Sequence, residues 1–296
     1  MQIMGLRFLK PVMFCCSSKR RFLCTMLLIG AVSVTGYVLW PRADAPSGVT
    51  ISSGDSVNAS PEMTSAEALA EGLKMVQAAH DSFDSRISDY TATFHKQERV
   101  GGVLLPQETI FVKIRQQPFS VYLRHSAPEN KAGQEAIYVD GKHDGKLVAH
   151  DGNSLLGLMT VTLPPKGFLA MRGNRHDITS AGMKNLLSQL LKLAKEQDAN
   201  LARCEIRWIE DQFVDDRPCR CLEINSPERL RGFPMAIARI YFDEEYGAPV
   251  RYEAFEWPEG EGEPHLVEFY QYTNVKRNAG LSDLDFDPDN EEYDYR

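Results

Sequence analysis

The sequence predicts an α+β chain, mostly antiparallel β, preceded by one N-terminal transmembrane helix. Three observations predict it. An uncharged apolar run occupies residues 22–40. From Tyr90 onward, segment after segment alternates apolar and polar residues with a period of two, the mark of half-buried strands. Only two later stretches repeat at helical spacing, one after Thr64 and one after Thr179.

A spanning helix rises about 1.5 Å per residue, so roughly 20 apolar residues cross the hydrocarbon core. The run 22–40 is just long enough. Arg7, Lys10, Lys19, Arg20 and Arg21 precede it with no acid among them, which keeps residues 1–21 on the cytoplasmic side. Tyr37 and Trp40 close the run, where amphipathic rings suit the interface. The reading is a retained signal-anchor with everything after Trp40 exported. The alternative is export followed by cleavage at Ala43-Asp44-Ala45, which Pro46 and the length of the run disfavour.

Six of the 33 basic residues and none of the 41 acids lie in residues 1–42, so 27 bases face 41 acids beyond them, a net charge of −14. Such a surface repels phosphate backbones and excludes nucleic acid as a partner. Cys204, Cys219 and Cys221 are the only exported cysteines, an odd number for a disulfide framework. Cys219 and Cys221 share a strand face, and Cys204 pairs with either or with neither.

Residues 41–63 carry Pro, Ser, Gly, Asp and Asn without apolar period and read as a tether spanning about 25 Å. Thr64-Ser65-Ala66-Glu67 fits a capping box, and Leu69, Leu73, Val76, His80 and Phe83 then form one helical stripe, with His80 a packed core residue. Strands follow at 90–100, 108–115, 119–124, 134–139 and 146–150, with Gly101-Gly102, Gln117-Pro118 and Asp140–Gly145 as turns. Residues 155–171 are apolar but broken by Gly157, Pro164, Pro165 and Gly167, so they suit a lid or a pocket rim rather than an inner strand. Thr179 or Ser180 caps a second helix carrying Met183, Leu187, Leu190 and Ala194. Strands resume at 203–210, 218–225, 236–243, 249–257 and 265–275, and residues 289–296 read as a solvated acidic tail.

Chemical motifs mostly fail on spacing. Gly141–Leu147 resembles a phosphate loop but is one residue short, with Leu147 where magnesium needs a hydroxyl. Gly152–Gly157 is not a nucleophile elbow, because its second glycine is displaced. Cys219 and Cys221 lack the further ligands of a closed zinc site, so no metal and no cofactor are expected. Asp283, Asp285, Asp287 and Asp289 have Pro288 where a calcium loop needs glycine. Arg172, Asn174, Arg175, His176 and Asp177 cluster beside the broken apolar segment. Local ion pairing of Arg175 is the expected role, with His176 or Glu98 as acid–base groups the less supported one.

The order of parts carries a resemblance. A capped helix leads into Ile87–Glu98, then a meander, a helix, further strands and the close Tyr272–Asn278 with Leu281–Pro288. This layout resembles an uncharacterised bacterial family of planctomycete type, domain of unknown function 1571, over roughly residues 65–288, and in architecture the lipoprotein carriers LolA and LolB with the stress sensor RseB. The resemblance implies a curved half-barrel sheet covered by two or three helices, with an apolar concave face that binds acyl chains. It places residues 64–288 as a LolA-like periplasmic domain; the run 22–40, read as a bacterial inner-membrane span, departs from the soluble carrier and speaks against a long-range shuttle.

Strands 108–115 and 119–124 are apolar on both faces, so the sheet is covered on both sides or closes around a cavity. The expected function is a membrane-anchored periplasmic binding protein, not an enzyme, that holds an apolar ligand such as a lipid or lipoprotein acyl chain. Phe94, Val112, Val121, Leu123, Leu158, Phe168, Leu187, Leu190 and Trp208 are its candidate cavity residues. The alternative is an envelope protein–protein interaction or sensing module with no small ligand. That reading predicts a filled core and an apolar patch outside it.

Overall fold

The computed structural model describes residues 63–151, 160–233 and 235–295. The expected span 22–40 and its linker lie outside them. Among the described residues no helix is long and apolar enough to cross a membrane.

Helix α1 (Ser65–Arg86) begins at the expected box: the Glu67 amide donates to the Thr64 hydroxyl at 3.3 Å, and Glu67 Oε2 accepts the Thr64 amide at 2.9 Å. A first meander follows as β1 (Asp89–Val100), β2 (Val103–Leu104), β3 (Glu108–Arg115), β4 (Ser120–Ala127), β5 (Gln134–Val139), β6 (Leu147–Asp151) and β7 (Thr160–Leu163). The chain then crosses through residues 164–182 to α2 (Met183–Glu196) and α3 (Asp198–Leu201). A second meander runs β8 (Glu205–Val214), β9 (Arg217–Asn225), β10 (Met235–Asp243), β11 (Ala248–Glu256) and β12 (His265–Arg277).

All twelve strands form one antiparallel sheet in the order β7-β6-β5-β4-β3-β1-β12-β11-β10-β9-β8, with the short β2 paired to β1. The first and last strands are thus neighbours at its centre, joined from Tyr90–Arg277 to Glu98–Glu268. The two edges are β7 and β8, so the segment between them must pass from one edge to the other. It does so as residues 164–182, α2 and α3, and this crossing supplies the cover. The sheet is open and curls until residues of β7 and of β10 line one cavity.

The main core lies under the helices, where Val76, Ala79 and Phe83 of α1 and Met183 and Leu187 of α2 meet the strands. Gly72 permits the approach of α1 to β9, since a Cβ there would stand 2.7 Å from Leu222 Cδ2. The opposite face divides in two. Over β4–β6, Tyr122, Ile137, Val139 and Val148 are covered by Phe286, Tyr293 and Tyr295. Tyr293 stacks on Tyr122 with ring centroids 4.1 Å apart, and Glu135 accepts both the Tyr122 hydroxyl (2.7 Å) and the Asp294 amide (3.0 Å). Over β8–β11, Arg207, Glu223, Arg239 and Glu253 stand in register as a ladder of alternating charge, with N···O distances of 2.8, 2.7 and 3.6 Å.

Three local expectations change, and the pairing left open for the cysteines is decided. Residues 160–163, expected within a broken lid segment, form an edge strand because β6 offers an unpaired ladder and Pro164 ends the pairing without interrupting it. Helix α2 is capped by neither Thr179 nor Ser180. These sit in a 3₁₀ turn (Ile178–Ser180) capped by Asp177, and Gly182 precedes the helix at φ 104°. The residues after 288 are not a solvated tail, since Asn290, Tyr293 and Tyr295 are buried. The three described cysteines are free and buried. Burial pushes the Cys219 thiol up to about 11 and the Cys221 thiol up to about 12, which keeps both protonated and inert.

Candidate functional site: a concave cavity with an ionic end

Alternation along five adjacent strands gives the concave face its polarity. On β1, Tyr90, Ala92 and Phe94 are followed on the same face by Lys96 and Glu98. On β3, Ile114, Val112 and Ile110 lead to Glu108; on β4, Leu123 leads to His125. On β12, Tyr272 and Tyr270 lead to Glu268; on β11, Tyr252 and Ala254 lead to Glu256. Because the strands are antiparallel and in register, the apolar ends coincide and the charged ends coincide. The space between this face, α2 and residues 164–182 is a cavity of about 1310 Å³.

Its apolar part has an aromatic floor. Phe94 stacks on Tyr272 at 4.7 Å, and Tyr270 lies between Phe94 (5.9 Å) and Tyr252 (6.2 Å). Leu186, Leu190 and Leu193 of α2 face it, and Leu147, Ala149 and Leu163 of β6 and β7 form the side wall. At this end the Gly182 amide donates to the Tyr272 hydroxyl at 3.2 Å and the Met183 amide to the Tyr90 hydroxyl at 3.0 Å. Two buried tyrosines from the central strands thereby satisfy the first amides of α2, the role that a capping side chain would otherwise fill. Burial raises both phenols well above their ordinary value, so they stay neutral.

The other end is a buried ionic network. Glu98 and Glu268 lie opposite each other across β1 and β12, a like-charge pair that needs cations. The crossing segment supplies them. Arg175 donates its backbone amide to Glu98 at 2.9 Å and its Nε to Glu268 at 2.7 Å, and it reaches Glu256 at 3.3 Å. His176 Nε2 lies 3.0 Å from the same Glu268 oxygen. The Tyr270 hydroxyl donates to Glu98 at 2.6 Å, and Lys96 donates to Asn174 at 2.5 Å while standing 3.5 Å from both Glu98 and Glu108. His125 (3.0 Å) and Lys131 (2.6 Å) complete the shell of Glu108.

The titrations follow from these contacts. Burial opposes ionisation of Glu108, but His125, Lys96 and Lys131 more than offset it and hold the carboxyl at about 2. Burial also works against Glu268, and His176 and Arg175 reverse it, so this carboxyl lies below the usual range. The hydrogen bond to Glu268 outweighs partial burial of His176 and raises its imidazole. Sequence reading expected a local pairing for Arg175; its partners instead lie about eighty and ninety residues further along the chain, at Glu256 and Glu268.

Of the nine residues named from sequence, Phe94, Val112, Leu123 and Leu190 line the cavity. Val121 and Leu187 are fully buried in the core beside it, because Val121 sits one strand period nearer the closed end and α2 turns Leu186 and Leu190, not Leu187, toward the space. Trp208 is on β8, under the Arg220 guanidinium at 4.3 Å and away from the cavity. Phe168 is 84% exposed, and Leu158 lies outside the described residues. Tyr252, Tyr270, Lys96 and Glu268 were missed, although the turn from apolar to charged along each alternating strand was visible in the sequence.

Elsewhere, His80 bridges Ser188 Oγ (3.1 Å) and Asp81 (3.3 Å) between α1 and α2. Among the described residues no three His, Cys, Asp or Glu side chains are grouped to hold a metal ion.

A family model described as a protein of unknown function, DUF1571, matches residues 87–295. The chain belongs to the DUF1571 family. No curated protein matches it. Among solved structures, this DUF1571 chain is similar to the Mycobacterium tuberculosis lipoprotein LppX at TM-score 0.40 and 10% identity, covering 72% of this chain and 98% of that one. A LolA superfamily protein from Nitrosomonas europaea overlays at TM-score 0.29 and 11% identity, covering 72% and 97%. MucB in the Pseudomonas aeruginosa MucA/MucB complex overlays at 0.42 and 12%, covering 73% of this chain and 60% of that one. The expected likeness to the LolA superfamily thus recurs among solved structures, but overlaps this loose carry no functional information.

Proposed function

We propose that this DUF1571 protein is a non-enzymatic binding protein of the bacterial envelope that holds an apolar chain, such as a lipid or lipoprotein acyl chain, in the concave cavity. The apolar run 22–40 anchors it to the inner membrane with residues 64 onward in the periplasm. One observation carries the reading: a space of about 1310 Å³ lies where a protein–protein module would have a filled core. It exceeds the several hundred Å³ typical of small-molecule pockets. Its floor is aromatic, Leu186, Leu190 and Leu193 face it from α2, and the carboxylates of its charged end are paired within the protein, which favours burial of a tail over covalent chemistry. Covering about ten methylenes at roughly 0.8 kcal/mol each contributes about 8 kcal/mol before ordering costs, enough for binding on the order of micromolar.

Native mass spectrometry with lipid extraction, on the full chain purified from membranes in mild detergent, tests this. The expected result is a co-purifying lipid that is lost when Leu123→Asp and Leu190→Asp are introduced. Both positions line the cavity, so a folded variant with the same lipid load would count against the assignment. A clean apo mass with no uptake of added fatty acid or lipopeptide would sink the reading and return the interaction module.

A further inference from the structure

We propose that the tip of the crossing segment, residues 166–172, docks on an anionic lipid surface. From Gly152 to His176 the sequence holds no acid and carries Lys166, Arg172, Arg175 and His176, within an exported chain of net charge −14. Arg175 and His176 are committed to Glu268. Lys166 and Arg172 are exposed, and among the described residues neither takes part in an ion pair. Between them stand Phe168 at 84% and Leu169 at 63% exposure, with Phe168 the most exposed large apolar side chain among the described residues. An aromatic and an aliphatic side chain bracketed by cations have the composition of an interfacial insertion: apolar groups enter the headgroup boundary while the bases meet anionic phosphates.

The tip also sits where such contact matters. Leu169 and Arg172 line the cavity, and so does Val161 of the adjoining edge strand, itself exposed. The rim that touches lipid is therefore the rim of the binding space. The sequence reads residues 41–63 as a tether of about 25 Å, so a domain anchored through 22–40 would stay close to a bilayer. Each cation near an anionic surface strengthens partition roughly fivefold, so Lys166 and Arg172 together supply about thirtyfold. The inference does not require a ligand in the cavity, and its test reads the tip alone.

The full chain is reconstituted in vesicles of phosphatidylcholine with phosphatidylglycerol, with and without brominated acyl chains. Phe168→Trp is compared with wild type, whose Trp40, Trp208 and Trp257 give a common background. The expected result is that bromine quenches most of the emission added at position 168. The quenching should disappear in phosphatidylcholine alone, in about 1 M salt where the Debye length falls to about 3 Å, and with Lys166→Glu and Arg172→Glu together. Added emission that bromine leaves unchanged would overturn the proposal, as would quenching that survives charge reversal. Exposure of all three positions lets the variants fold, which a coincident thermal melt confirms.

Discussion

Replacing Arg175 by alanine removes the guanidinium that pairs Glu268 and Glu256 and ties residues 164–182 to β11 and β12, while the backbone amide bond to Glu98 remains. Breaking a fully buried ion pair costs about 3–5 kcal/mol. Arg175 retains 31% exposure, and His176 and Lys96 remain beside the carboxylates, so the cost falls to about 2 kcal/mol. For a domain of this size each kcal/mol shifts Tm by about 2–4 °C, which gives a fall of about 4–8 °C. Arg175→Lys should recover only part, since an ammonium cannot serve Glu268, Glu256 and the Arg99 carbonyl together. The pH dependence has a definite sign. Glu268 is held below its ordinary 4.5, so its contribution is present above that value and lost as pH falls through the lower folded pKa. His176 is raised above 6.5, so its contribution is full below 6.5 and lost as pH rises through the folded pKa. Both act together between pH 4.5 and 6.5. The alanine penalty should therefore grow as pH rises above this window through the raised His176 pKa, where His176 loses its charge and no cation of the crossing segment remains beside Glu268. It should shrink below the window as Glu268 protonates. Thermal melts across pH, with amide exchange over 164–182, measure this. A Tm within about 1 °C of wild type, or a penalty flat with pH, would refute the reasoning.

Two further substitutions probe the scaffold. Gly182→Ala places a Cβ at φ 104° and 3.2 Å from the Tyr90 hydroxyl, and should cost about 1–3 kcal/mol in urea unfolding; a change below about 0.5 kcal/mol would show that α2 does not depend on this seat. Truncation after Pro288 uncovers Tyr122 and removes Tyr293 and Tyr295. It should lower stability by about 3 kcal/mol, and an unchanged denaturation midpoint would mean that the segment is an ornament on the sheet rather than part of its core.

Much of the scaffold was legible because its signals are local. The capping box at Thr64 and Glu67 is a four-residue pattern that closes on itself, and the two-residue period of 108–115 fixes a strand wherever it pairs. The double apolar faces of 108–115 and 119–124 called for cover on both sides; the structure puts the helices on one side of both and Phe286, Tyr293 and Tyr295 over Tyr122 on the other, while Phe111 of 108–115 stays exposed. Sequence did not reveal that second cover, since alternating acids around Tyr293 and Tyr295 read as a solvated end until Tyr122 is placed beneath them.

What the sequence by itself determined is therefore strand identity, facing and the family to which the chain belongs. Only the tertiary structure decided the neighbours: β1 beside β12, and a crossing segment that must travel from β7 to β8. Those long-range pairings bring Glu98 opposite Glu268 and oblige Arg175 and His176 to answer them, which no local spacing encodes. They also align the apolar and charged ends of five strands into one cavity. A pattern of period two says which side of a strand a residue takes, and register between distant strands says what it meets there.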